Sequence, residues 1–466
     1  METDLSTLPG RLWFPVDNAA TLYAAARSKH WCRTFRISVI LKEDVHPETL
    51  TRSLREIMPR FPSFQGQLQD GFFWSYFQHT DALPVPEEEH DYPYRPIPLT
   101  GTEQPNFRVL YYKRRVSVES YHSLADGGAT TIFLSALLTR YYELMGETIP
   151  HDEHALRVED APKETETCDA YKLHAKPDAK ARTPEKRKPY YNKGVVQKHF
   201  SHVIHGTFRV DDIKTAAAKY ELTITEYVTA LLIWCFIQTA PEALTRDVCI
   251  SVPMDLRRRL GTQNVRNFVY MTDISFSPDG RTDVSFEEIA EKIKGELLQK
   301  GNPAVLLDEI SANVAAQQSK VLRPIPYLIK RAFLKNTYRQ NQHSFTTFFS
   351  NWGIMDAPEA VRAHIERAEF VLGDTPYQPF GCAALSVNGY MTLTFSGSNT
   401  DTQFQTAFFR FMANDGIPVH VESNLRAEGR GSPVETSQPQ AEKHRPSLQA
   451  RTQKPRAEGE EKEVQA

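Results

Sequence analysis

The chain has 466 residues, with 55 Lys and Arg against 58 Asp and Glu, and a formal net charge of −3. Apolar residues make up 40% and charged residues 24%, the balance of a globular protein large enough to bury a core. The near-neutral charge argues against a nucleic-acid binder, which carries a basic domain. The longest apolar run, residues 230–237, is far shorter than the ~18 residues of a membrane-spanning helix.

The acidic opening, Met1-Glu2-Thr3-Asp4, lacks the basic-then-apolar order of a signal peptide, so a cytoplasmic protein is expected. Residues 18–27 read as an alanine-rich helix, 34–41 as a strand, and 47–58 as a helix with Pro47 in its first turn. Residues 107–112 and 115–121, dense in Val and Tyr, read as a strand pair. A helix over 127–145 follows, stopped by Gly146. Residues 151–198 are polar and read as a connection between two folded halves.

In the second half, Thr223 and Glu226 form a capping box for a helix to about residue 237. Residues 248–253 and 268–276 read as strands, and 287–298 as one amphipathic helix. Asn388-Gly389 signals a tight hairpin between strands 382–387 and 390–395. A helix over 403–412 closes the fold. The tail, 425–466, has no aromatic residue and mixed charges, and is expected to be disordered. The tail and the connection account for a mean hydropathy of −0.47. Alternating strands and helices in both halves predict α/β layers.

The most informative run is Tyr121-His122-Ser123-Leu124-Ala125-Asp126-Gly127-Gly128. A strand ends at His122 and a helix begins after Asp126. A histidine at a strand exit is held on rigid backbone, and its ordinary pKa near 6.5 suits a general base. The two glycines are expected to let the chain turn tightly and a ligand approach the backbone. A plainer reading remains open, with His122 as a core histidine and Asp126 as a helix N-cap.

Four separate segments sharpen this. They are Phe14-Pro15-Val16-Asp17-Asn18-Ala19-Ala20, His122-x-x-x-Asp126-Gly127, Val252-Pro253-Met254-Asp255-Leu256-Arg257 with Asn267-Phe268 after it, and Ser350-Asn351-Trp352-Gly353. In this order they resemble the CoA-dependent acyltransferase superfamily. It includes chloramphenicol acetyltransferase, the condensation domains of nonribosomal peptide synthesis, BAHD acyltransferases and wax ester synthases. The sequence is most similar to stand-alone alcohol acetyltransferase-like condensation proteins, over about residues 10–424.

The resemblance implies two chloramphenicol-acetyltransferase-like subdomains of mixed sheets flanked by helices, in a V around a central channel. An N-terminal subdomain would span 1–160, the connection 161–198, and the C-terminal subdomain 199–424. His122 would be the base that deprotonates an acceptor, which then attacks an acyl thioester. Asp126, beside Gly127, would pair with Arg257, or alternatively Arg259, to fix the histidine loop. Ser350 and Asn351 would face the developing oxyanion, and Asn267 the channel wall. The implied function is acyl transfer, with acetyl the first choice, from acyl-CoA as co-substrate to the hydroxyl of a small-molecule acceptor. No permanent cofactor or metal is implied, and one chain carrying both subdomains is expected to be a monomer.

One position departs from the peptide-forming pattern, in which a second histidine precedes the signature one. Here that residue is Tyr121, which favours the O-acyltransferase branches. A carrier-protein-dependent condensation enzyme, with a separate carrier protein as partner, is the alternative. A silent homologue that only binds an acyl ligand is a third reading. The five cysteines show no C-x-x-C, so neither a disulfide framework nor a cysteine zinc site is expected. His199, His202 and His205 have no matching fourth ligand. The clusters Lys186-Arg187-Lys188 and Arg257-Arg258-Arg259 offer charge for CoA phosphates. No P-loop, dinucleotide fingerprint or G-x-S-x-G elbow appears.

Overall fold

The computed structural model describes residues 13–425, apart from 29–32, 91–92, 95–96, 100–102, 153, 182–187, 198–200 and 374. Its strands in chain order are β1 (Trp13–Pro15), β2 (Thr34–Leu41), β3 (Gly66–Asp70), β4 (Ser75–His79), β5 (Glu87–Glu88), β6 (Phe107–Tyr112), β7 (Arg115–Tyr121), β8 (His202–Arg209), β9 (Val248–Asp255), β10 (Val269–Phe276), β11 (Thr347–Ile354), β12 (Ile365–Leu372), β13 (Phe380–Val387), β14 (Tyr390–Gly397) and β15 (His420–Ser423). They form three sheets, ordered β1-β4-β3, β12-β2-β7-β6-β5 and β10-β9-β11-β13-β14-β8-β15.

β12 belongs by sequence to the second half, yet it pairs antiparallel with β2 in the five-stranded sheet. The apolar core beneath that sheet therefore mixes Val116, Val118, Phe133 and Leu137 with Met355, Phe370 and Leu385. A second core joins the helix Ile224–Thr239 to β9, β13, β14 and the helix Gln403–Asn414. The apolar run seen in the sequence lies inside that first helix. It is apolar all round because it is buried all round. No helix among the described residues is long and apolar enough to cross a membrane.

Local chemistry explains most element ends. Thr223 and Glu226 form the reciprocal capping box that their spacing predicts. Asn388 and Gly389, at φ 50° and 80°, make the turn between β13 and β14. The single helix expected over 287–298 is instead two, Phe286–Ile293 and Glu296–Lys300. Gly295 breaks it at φ 72°, and its N–H donates to Glu226 Oε1 at 2.9 Å. A tertiary partner here outweighs the amphipathic period.

The polar connection is fastened down. Glu166 lies in a short helix, Glu164–Thr167, and receives both terminal nitrogens of Arg60 at 2.6 and 2.9 Å, with both side chains buried. The carbonyls of Thr165 and Cys168 accept from Asn264 Nδ2, each at 3.1 Å. Composition alone shows the polarity of such a segment, not its partners. The tail expected to be disordered, beyond Leu425, lies outside the described residues.

Candidate active site

β7 is central in its sheet and delivers His122 one residue past its end. The His122 N–H donates to the Arg33 carbonyl at 2.8 Å, which pins the backbone. Leu124 N–H donates back to Tyr121 O at 2.8 Å, so the chain turns at once. Asp126 then starts the helix Gly127–Leu144, its Oδ1 accepting from Ala129 N–H at 2.9 Å. The imidazole packs on Tyr23 and Phe35, with ring centroids 4.4 and 5.1 Å away.

His122 opens onto a cavity of about 770 Å³ that Ser350, Asn351, Gly127 and Arg33 also line. Its Nδ1 lies 3.2 Å from Asn267 Oδ1. Asn267 donates its amide N–H groups to Asp17 Oδ2 at 3.1 Å and the Ser123 carbonyl at 3.4 Å. The amide oxygen must therefore face the imidazole as an acceptor. Nδ1 carries the proton, and Nε2 keeps the lone pair.

Burial, together with the Arg33 charge, lowers the His122 pKa to about 4, against the opposing pull of Asp126. The ring is neutral at pH 7. Asp17 behaves oppositely. Burial raises it to about 6, although Arg266 opposes the rise. Asp17 also caps the first helix, Asn18–Ala26, accepting from Ala20 N–H at 2.7 Å. The line Asp17–Asn267–His122 thus joins three distant stretches of chain. Asp17 was visible in the sequence only as part of the opening segment, where its cap position before Asn18 was the available signal.

Asp126 and Arg257 are bonded bidentately and buried. Arg257 Nη2 reaches Asp126 Oδ1 at 2.8 Å, and Nη1 reaches Oδ2 at 3.1 Å. Arg257 Nε donates to the Asn264 carbonyl at 2.7 Å, and Nη1 to Asp255 Oδ1 at 2.9 Å. Phe268 N–H donates to Asp126 Oδ2 at 2.7 Å. The N-cap and arginine-partner readings of Asp126 therefore both hold, on one carboxylate. Arg259 instead donates to the Gly301 carbonyl at 2.7 Å. Arg257 is enclosed and cannot meet a phosphate, whereas Arg258 and Arg259 line the cavity. Lys186 and Arg187 lie outside the described residues.

Other expected residues divide. Asn351 lines the cavity, but its amide is engaged at both ends, donating to Thr225 Oγ1 and accepting from Gly353 N–H, each at 3.0 Å. The turn it makes requires Gly353 at φ 82°. Ser350, one residue earlier on β11, also lines the cavity. The glycine expectation needs correction at Gly128, whereas Gly127 lines the cavity. Neither Gly127 nor Gly128 has a positive φ, and both open the helix. A Cβ on Gly128 would stand 2.0 Å from the Trp352 ring, so an indole fills the space assigned to a ligand. Tyr121 is buried, its hydroxyl donating to the Tyr23 carbonyl at 2.9 Å. His202 bonds to the Asn399 carbonyl and Ser423, and His205 to Thr394. His199 lies outside the described residues.

The fold is shared with a solved trichothecene 15-O-acetyltransferase and a solved condensation domain. TRI101 of F. graminearum, solved with coenzyme A and deoxynivalenol, matches with a TM-score of 0.60 at 12% identity, over 87% of this chain and 99% of that chain. Polyketide synthase associated protein 5 from Mycobacterium tuberculosis matches with a TM-score of 0.59 at 12% identity, over 88% and 98%. The first condensation domain of the CDA synthetase matches with a TM-score of 0.57 at 12% identity, over 88% and 100%. No protein-family model matches the sequence, and no curated protein matches it.

Proposed function

We propose that this protein is an acyltransferase that moves an acyl group from coenzyme A to a hydroxyl, with His122 as general base. The observation that carries the reading is the neutral His122 in the cavity wall, its Nδ1–H held by Asn267 and its Nε2 left basic. The acceptor hydroxyl gives its proton to Nε2 as its oxygen attacks the thioester carbonyl. The tetrahedral intermediate collapses, the C–S bond breaks, and the thiolate takes the proton back from His122. A base positioned in this way contributes about 10²–10⁴-fold.

The imidazolium formed midway is supported by Asn267 and by the charge of Asp126. The Asp126–Arg257 pair holds the loop and does not touch the reactants. Ser350 is the better donor for the oxyanion, because the Asn351 amide is already committed. The alcohol as acceptor, acetyl as the group moved, and coenzyme A as donor are supported by the Tyr121 departure and by neighbours solved with coenzyme A. Purified protein with acetyl-CoA and an alcohol panel, followed by thiol release, tests the reading. Thiol release by His122→Ala at the wild-type rate would overturn it. Turnover only with a carrier-bound thioester would move the donor to a carrier protein.

A further inference from the structure

Seven arginines are buried among the described residues, and each has a carboxylate oxygen within 3.6 Å. Arg36 with Glu119, Arg60 with Glu166 and Arg257 with Asp126 are examples. This is the expected rule, because a guanidinium removed from water is costly unless its charge is met.

Arg33 stands outside this set. It is half-buried in the wall of the cavity beside His122. Its Nη1 donates to the Tyr338 hydroxyl at 2.9 Å and to Gln342 Oε1 at 3.3 Å, both neutral acceptors. The guanidinium lies over the Tyr23 and Phe348 rings, 5.8 and 5.2 Å from their centroids. Among the described residues no carboxylate pairs with it. The aromatic rings and Tyr338 hold the planar fork in place, and no carboxylate among the described residues meets its charge.

We infer that Arg33 is the anchor for a carboxylate carried by the substrate, held bidentately within the cavity. The fork matches a carboxylate in shape and in donor spacing. The anion belongs near the reacting atoms, because the Arg33 carbonyl bonds the His122 backbone and Tyr23 packs against both side chains. The phosphates of coenzyme A fit this place poorly, since the pantetheine arm separates them from the thioester. The exposed Arg258 in the same cavity suits them better. The inference rests on the acyl-transfer reading only for which substrate brings the carboxylate.

Two paired comparisons identify that source. One sets lactate against propylene glycol as acceptor with acetyl-CoA. The other sets succinyl-CoA against butyryl-CoA as donor with ethanol. A preference of about ten- to a hundredfold in kcat/KM for the charged member is expected in one arm. Arg33→Gln brings that ratio near one, and Arg33→Lys retains part of it. A wild-type ratio near one in both arms overturns the inference, as does a preference that survives Arg33→Gln.

Binding gives a readout that needs no turnover. Lactate or succinate neutralises Arg33, so the His122 ring titration, followed by NMR, moves upward in wild type and not in Arg33→Gln. Such a shift without acyl transfer leaves the anchor standing and removes the proposed reaction. No shift with either acid, together with flat kinetic ratios, removes the anchor alone.

Discussion

Arg257 and Asp126 are 131 residues apart in the chain, yet three nitrogen–oxygen contacts of 2.8 to 3.1 Å join them. Their side chains are 7% and 1% exposed, so solvent does little to screen the pair. The carboxylate caps the helix after His122 and also receives Phe268 N–H, next to Asn267. One ion pair thus couples both walls of the site.

Removing Arg257 leaves the buried Asp126 carboxylate unmatched, at a cost of about 3–5 kcal/mol, whereas without the Asp126 charge Arg257 keeps Asp255. Arg257→Met should lower stability by that order, and Asp126→Asn by less. The double variant should lose clearly less than the sum. Urea unfolding of the four proteins measures this, and strictly additive losses would contradict the coupling.

With His122 as the proposed base, its titration sets the acid limb of the activity profile. Burial and Arg33 hold it at about 4, below its ordinary 6.5. The limb that His122 sets should have its midpoint near 4. Stability follows with a definite sign. Between 6.5 and about 4 the unfolded state takes up the proton and the folded state does not, so acidification through this window destabilises the fold. Asp17 runs the other way. Its folded value of about 6 lies above 3.8, so its contribution is present at low pH and is lost as pH rises through about 6. A rate profile with circular dichroism at each pH separates the two, and an acid limb near 6.5 would contradict the depressed His122.

Asp17→Asn tests the line behind the base. The new amide can still accept from Ala20 N–H, but it then turns its own N–H groups toward Asn267. Asn267 flips to accept from it, and presents donors to His122 Nδ1. The imidazole adopts the opposite tautomer, with the proton on Nε2. A loss of about 10²-fold in kcat is expected, with KM little changed, because the base function itself is what disappears. The tautomer is read directly from imidazole nitrogen shifts. Unaltered shifts would leave Asp17 with only its helix cap.

Gly128→Ala places a Cβ 2.0 Å from the Trp352 ring. Overpacking of this kind costs about 1–3 kcal/mol. The loss should be recovered when Trp352→Leu is added, because the clash partner is gone. Thermal unfolding of the single and double variants checks this, and a Gly128→Ala penalty that persists without the indole would place the constraint elsewhere.

Much of this protein is legible in one dimension. β2, β6, β7 and the capped helix Ile224–Thr239 follow from hydrophobic period and cap residues, because those signals act within a few residues. His122 and Asp126 were marked by their type and the turn between them, and Arg257 and Asn267 by the resemblance of their segments to a known family. The sequence could not say that β12 crosses into the other sheet, that Gly128 makes room for Trp352, or that Gly295 breaks a helix. Each depends on a partner far away in the chain.

The same division holds at the site. The sequence by itself determined the polar, near-neutral composition, the α/β pattern and the histidine after a strand. Only the tertiary structure decided which arginine meets Asp126, which nitrogen of His122 carries the proton, and that Arg33 lines the cavity with no carboxylate paired to it among the described residues. Charge and proton placement are set by distances of about 3 Å between distant segments, and spacing along the chain carries no record of those distances.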